Sequence, residues 1–168
     1  QANPLLDENT PSPDAPRFRE FLPYDVEEIV KLGAAFFAES EFSEFSTFSP
    51  DHFNYVLSGV ENNPGMNGLL FEDKGKIRGY LFYQLDLSYT EEPIALMWLF
   101  YVVPEYRRSP VGRELLKLAE SHAQAHGAVA FYGGSMSGIP NIKNTLKNLY
   151  TKAGYEGMFW GRKVLKGN

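Results

Sequence analysis

A chain of 168 residues, 43% hydrophobic and 22% charged, fits one globular domain long enough to bury most of its apolar surface. The absence of cysteine excludes disulfides, cysteine zinc sites and thiol nucleophiles, and a net charge of -5 weighs against a nucleic-acid partner. No apolar run approaches the ~20 residues of a membrane span and no cleavable leader pattern is present, so the expected compartment is the cytoplasm.

Residues Gln1 to Pro16 hold four prolines without apolar periodicity and are expected to form a disordered or loosely draped tail before a single domain over 17–168. "RFREFLP" alternates and predicts a short strand. From Tyr24, the residues Val26, Ile29, Val30, Ala34 and Phe37 recur on one helical stripe. Phe42, Phe45 and Phe48 then recur every three residues among Ser and Glu, a spacing that serves either an aromatic acceptor wall or three anchors pinning a loop. Ser49-Pro50-Asp51 has the order of an N-cap with proline at the first helical position, predicting a helix to about Val60.

Strands dominate the middle of the chain. "NGLLFED" and "KIRGYLFYQLDLSY" flank "DKG" and predict a hairpin. "EEPIALMWLFYVVP" is apolar on both faces, as a central strand covered on both sides requires. A helix from Ser109 to His126, a buried strand in "AVAFYGGS", a helix in "IPNIKNTLKNLYTKAG" closed by Gly154, and one or two strands in "YEGMFWGRKVL" complete the order β-α-α-β-β-β-α-β-α-β. His122 and His126 share a helix face and could pair on a metal. Their context, "ESHAQAHG", reads instead as a helix C-terminus stopped by Gly127, so no metal is expected.

The stretch "YVVPEYRRSPVGREL" carries the chemistry. Ser109 and Pro110 open a helix whose first amides, at Val111, Gly112 and Arg113, point outward at the positive end of the helix dipole. Arg107, Arg108 and Arg113 surround that end, and Gly112 lets a ligand approach the backbone. On physics alone, a phosphate cradle and a solvated basic loop remain open.

"YVVPEYRRSPVG" resembles the cofactor signature of the GNAT superfamily of acyl-CoA N-acyltransferases, Arg/Gln-x-x-Gly-x-Gly/Ala at a helix start. Arg107 takes the first position and Gly112 the last, while Pro110 stands where the first glycine usually is and removes one amide donor. A second match, "LYTKAGYE" from Leu149 to Glu156, is similar to the superfamily's closing Leu-Tyr-x-Lys-x-Gly-Phe/Tyr motif. The resemblance implies an α/β fold with a mixed, mostly antiparallel sheet of six to seven strands flanked by about four helices.

It also implies an activity and a set of roles. The activity is N-acetyl transfer from acetyl-CoA to a primary amine by direct transfer in a ternary complex. Phe100, Tyr101 and Val102 would pair through their main chain with the pantetheine arm and polarise the acyl carbonyl. Arg108, Ser109, Pro110, Val111, Gly112 and Arg113 would form the pyrophosphate loop, and Arg107, also cofactor-binding, would close its strand side. Tyr150 would protonate the departing thiolate, and Asn144 would lie near the cofactor.

No base is assigned, because "IALMWLFYV" and "AVAFYGG" contain no carboxylate. Asp86, Glu91, Glu92, Glu41 and Glu44 are the acids left, and Glu39 with Glu41 and Glu44 would suit a cationic amine. The expected partners are acetyl-CoA and an unidentified amine, without nucleic acid or membrane; a homodimer is one assembly open to it. Two alternatives stand beside the enzyme: a weak or inactive GNAT-fold protein that binds acyl-CoA or a protein partner, and a small α/β module for another phosphate ligand.

Overall fold

The computed structural model describes residues 12–134, 138–157 and 162–165. The order is β1 (Arg17–Glu20), α1 (Val26–Glu39), α2 (Pro50–Ser58), β2 (Met66–Asp73), β3 (Lys76–Asp86), β4 (Ile94–Val102), α3 (Val111–Ala125), β5 (Ala130–Tyr132) and α4 (Lys143–Lys152). The strands form one sheet in chain order, β1 to β4 antiparallel and β5 parallel to β4. The described sheet therefore has five strands rather than the six to seven expected. Of residues 155–165, where the last strands were expected, 155–157 and 162–165 form no strand and 158–161 lie outside the described residues. So do residues 1–11 of the expected tail; Asp14 accepts a main-chain bond from Lys74 across the β2–β3 turn.

Local rules account for most elements. Asp73 pairs Lys76, so Lys74 (φ 54°) and Gly75 (φ 70°) form a two-residue turn of the type that matches strand twist. Ser49 accepts the His52 amide at 3.2 Å with Pro50 in the first turn of α2. The stripe of α1 runs through Val26, Ile29, Gly33 and Phe36; Ala34 is exposed, because the helix seats against α2 where Gly33 leaves room for Phe53.

Two cores sandwich the sheet. Leu69, Leu81 and Tyr83 pack under Leu115, Leu116, Ala119 and Ala123 of α3. Leu70, Tyr80, Phe82 and Tyr101 pack under Ile29 of α1 and Leu57 of α2. The buried carboxylates are satisfied: Asp25 accepts two bonds from Arg19 at 2.7 and 2.8 Å, and Glu72 takes Arg19 at 3.0 Å and Arg17. Glu72 lies below the usual carboxylate range; burial alone would raise it, and Arg19 and Arg17 together overcome that.

His122 closes another polar chain, sharing a 2.6 Å hydrogen bond with Tyr83 Oη at Nδ1 and a 2.5 Å one with Glu20 at Nε2. Among the described residues no cluster could hold a metal ion, and no helix is long and apolar enough to cross a membrane.

Candidate active site

The site begins where β4 loses its partner. β5 pairs β4 only from Ile94 to Leu96. It then ends in Gly133 and Gly134, the latter at φ 139°, and the chain turns off beneath Tyr150. "AVAFYGGS" thus yields a strand of three residues, with Tyr132 46% exposed rather than buried. Tyr83 pairs Met97 while Phe82 pairs Leu99, so Trp98 is an extra residue, a β-bulge that bends β4 where β5 departs.

Beyond the bulge, Val103 donates its amide to Arg78 at 2.9 Å, which turns its main-chain groups toward β3. By alternation, those of Phe100 and Val102 face the gap. The Val102 carbonyl accepts Arg107 Nε at 2.9 Å, leaving the Phe100 amide and carbonyl and the Val102 amide without partners among the described residues.

A cavity of about 520 Å³ fills the gap. Phe100, Tyr101 and Val102 line one side, and Thr145, Leu146 and Leu149 of α4 the other. Arg107, Arg108, Ser109, Gly112 and Arg113 line it at the start of α3, and Phe36 and Ile139 add apolar surface. α4 contains no fully buried residue; its apolar side looks into this space.

The start of α3 differs slightly from the sequence expectation. The helix begins at Val111, with Pro110 in the cap position at φ -69°. Ser109 Oγ accepts the Val111 amide at 3.3 Å, and the Pro110 carbonyl accepts Glu114. The amides of Gly112 and Arg113 have no acceptor among the described residues. They are the donors an anion would meet, at the positive pole of a 15-residue helix.

Arg108 is exposed, and Arg113, 66% exposed, has only Glu114 at 3.6 Å as an ion-pair partner among the described residues. Arg107 is committed: Nη1 and Nη2 bind Glu39 at 2.7 and 2.9 Å, and the guanidinium stacks 5.5 Å from the centre of the Tyr101 ring. Glu39 also accepts the Tyr101 hydroxyl at 2.7 Å. Arg107 holds Glu39 below the usual carboxylate range, and burial pushes the Tyr101 phenol up.

The remaining expected residues separate. Pro110 and Val111 do not line the cavity, and Asn144 is exposed outside it, while Asn141 and Thr145 flank it in the wall. Tyr150 does not line the cavity either; its hydroxyl donates to Met97 Sδ at 3.4 Å, beside the bulge, and burial raises its pKa to about 12. Phe42 and Phe48 pack on Phe37 at 6.5 and 5.7 Å, and Phe48 on Phe53 at 6.1 Å, so these aromatics anchor the loop after α1. Glu41 pairs with Lys143 and Arg162, and Glu44 with Arg162.

Sequence reasoning missed the Trp98 bulge, which has no local signal. It also missed the Glu39 partner of Arg107, which has one: an acid in the last position of a helix opposes the dipole and calls for a nearby cation.

Comparison with solved structures gives the same architecture. The aminoglycoside N-acetyltransferase AAC(6')-Iy in complex with CoA is 12% identical, with a TM-score of 0.71 over 92% of this chain and 98% of that one. An aminoglycoside acetyltransferase from an uncultured soil metagenomic sample, in complex with sisomicin, is 17% identical, with a TM-score of 0.66 over 90% and 97%. An acetyltransferase of Trypanosoma brucei is 15% identical, with a TM-score of 0.65 over 89% and 98%. At these identities the likeness concerns the fold. No curated protein matches the sequence significantly. The family model "Acetyltransferase (GNAT) family" matches residues 32–155, which span both the strand gap and the helix start described above, and the chain belongs to that family.

Proposed function

We propose that this protein is an N-acetyltransferase that moves an acetyl group from acetyl-CoA to a primary amine by direct transfer in a ternary complex. One observation carries the reading: the unpaired edge at Phe100 and Val102 opens into the same cavity as the α3 start with Arg108 and Arg113. The free main-chain groups of that edge suit an amide-containing arm added as a further strand. The Gly112 and Arg113 amides, with the exposed guanidinium groups of Arg108 and Arg113, suit a pyrophosphate.

A main-chain N–H on the same edge polarises the acyl carbonyl while the amine attacks it. As the carbon–sulfur bond breaks, the Tyr150 hydroxyl supplies the proton to the leaving sulfur; a phenol raised to about 12 stays protonated until that moment. Its hydroxyl lies beside the bulge in β4, where it donates to Met97 Sδ at 3.4 Å. The absence of cysteine leaves no thiol for an acyl-enzyme. β4 and β5 carry no carboxylate and Glu39, Glu41 and Glu44 pair with cations, so the acid left in the cavity wall is Glu105, and the attacking amine gives up its proton there or to solvent.

The pairing of those acids also favours a second reading, an acyl-CoA-binding GNAT protein without turnover. The two part on thiol release from acetyl-CoA in the presence of amines: aminoglycosides, suggested by the fold neighbours, with peptide N-termini and lysine derivatives. Calorimetry with acetyl-CoA tests both. Binding is expected, and Arg108→Ala with Arg113→Ala should weaken it about tenfold or more. No heat at millimolar acetyl-CoA refutes both readings.

A further inference from the structure

The C-terminus of α1 presents a puzzle in the opposite direction from the basic loop. Glu39 occupies the last helical position, where the dipole disfavours an anion, yet its side chain is only 30% exposed. It is engaged by three donors, both terminal nitrogens of Arg107 and the Tyr101 hydroxyl. Arg107 also donates its Nε–H to the Val102 carbonyl, the last one facing the strand gap.

The guanidinium thus joins a helix end to a strand end, and its planar fork fixes the direction of both contacts. Ser40, the next residue after Glu39, is 3% exposed and bonds back to α1, so this helix end cannot drift. Glu39 itself does not line the cavity, whereas Arg107, Tyr101 and Val102 all do.

We propose that Glu39 is a positioning residue for the cofactor: acting through Arg107, it fixes the Phe100–Val102 edge that receives the pantetheine arm. Arg107 is on this account a strut, and Arg108 and Arg113 are the cations left for phosphate. The assignment rests on the acetyl-CoA reading above and deepens it.

The sign of one measurement separates positioning from charge. Glu39→Gln removes a negative charge beside a site for a polyanion, so Coulomb's law alone lowers the Kd for acetyl-CoA. Loss of the strut instead raises it, by about 3- to 10-fold for a charge-assisted pair that is partly exposed. Glu39→Asp keeps the charge but withdraws it by one methylene, and it should raise the Kd as well.

Calorimetry on the wild type and both variants, with amide hydrogen exchange of the ligand-free proteins, is the test. The expected result is a raised Kd in both variants and faster exchange at the Tyr101 and Val103 amides, which face β3, with the wild type binding. A Glu39→Gln Kd equal to or below wild type overturns the assignment alone. If that variant fails to fold, Glu39→Asp decides, and a wild-type Kd for it overturns the assignment. A wild type that binds no acetyl-CoA overturns the cofactor reading and this assignment with it.

Discussion

Two glycines in the site should respond in opposite ways to the same added methyl group. A Cβ at Gly133 would stand 2.8 Å from Tyr150 Cε1 and 3.0 Å from Tyr155 Cε1, where ordinary contact begins near 3.4 Å. The Tyr150 ring would have to retreat by about half an ångström. It is backed by Met97, on which its hydroxyl rests at 3.4 Å, and by the Tyr155 ring at 5.3 Å. Overpacking of this kind costs about 1–3 kcal/mol, or roughly 2–12 °C of Tm in a domain of this size. A Cβ at Gly112 meets only Phe100 Cζ at 3.7 Å and Val102 Cγ2 at 3.9 Å, both comfortable, and alanine is the better helix former by up to about 1 kcal/mol. Thermal melts of Gly133→Ala and Gly112→Ala should therefore move apart, the first down and the second level or slightly up. In turnover assays Gly133→Ala should lose about tenfold in kcat through displacement of the Tyr150 hydroxyl, with acetyl-CoA affinity changed less than about twofold because the α3 start is untouched. Equal melting points for the two variants would falsify the packing argument, and an unchanged kcat in Gly133→Ala would remove Tyr150 from the chemistry.

Tyr150→Phe, which gives up the bond to Met97 sulfur and the main-chain contact with Gly134, should still fold and lose about 10- to 100-fold in kcat at nearly constant KM for acetyl-CoA. Because the Tyr150 pKa is about 12, an acid role is lost only as pH rises toward that value, so pH–rate profiles up to about pH 10 should have the same shape in both proteins. Glu72 has its folded pKa depressed, so its stabilisation is present above the unfolded value of about 4.3 and lost as pH falls through the folded one. Glu72→Gln should therefore melt lower at pH 7 and show a shallower decline between about pH 5 and pH 3; an equally steep decline would place the acid sensitivity elsewhere. Pro110→Ala, which restores an amide outside the cavity wall, should leave the acetyl-CoA Kd within about twofold by calorimetry, and a gain above fivefold would show that this amide faces the ligand.

The order of elements was legible because each has a local cause. Ser49-Pro50 starts α2, Lys74-Gly75 closes the β2–β3 hairpin and Gly127 (φ 91°) stops α3. The double-sided apolar run of β4 announced a covered central strand, and Arg107, Arg108, Ser109, Gly112 and Arg113 of the loop after it share one cavity wall. What stayed hidden depends on pairing across the chain. Nothing near Trp98 marks it as the residue that β3 skips, since a bulge is settled by the register of two strands. The shortness of β5 arises from the space the Tyr150 ring requires beside Gly133, some seventeen residues away along the chain. Glu39 and Arg107 are farther apart still, and a carboxylate that looked available to a cationic amine proved to be held by an arginine that looked available to a phosphate.

That exchange also changes the meaning of the proline in the loop. Read from the sequence, Pro110 subtracts a donor from a ring of amides expected to wrap a pyrophosphate. In the fold, Ser109 already takes the Val111 amide, and the open donors are one position further on, at Gly112 and Arg113. Pro110 itself is exposed and outside the cavity wall, with φ at -69°, the value its ring imposes in any case. Its effect is to fix the chain direction between a pinned Arg107 and the first turn of α3, so that Arg108 and Ser109 enter the wall from a rigid segment. Rigidity on that side and the Glu39 strut on the other hold the two faces of one gap. The site is thus preorganised by residues that do not touch its contents, while α4, with no buried residue of its own, is the wall that a ligand would complete.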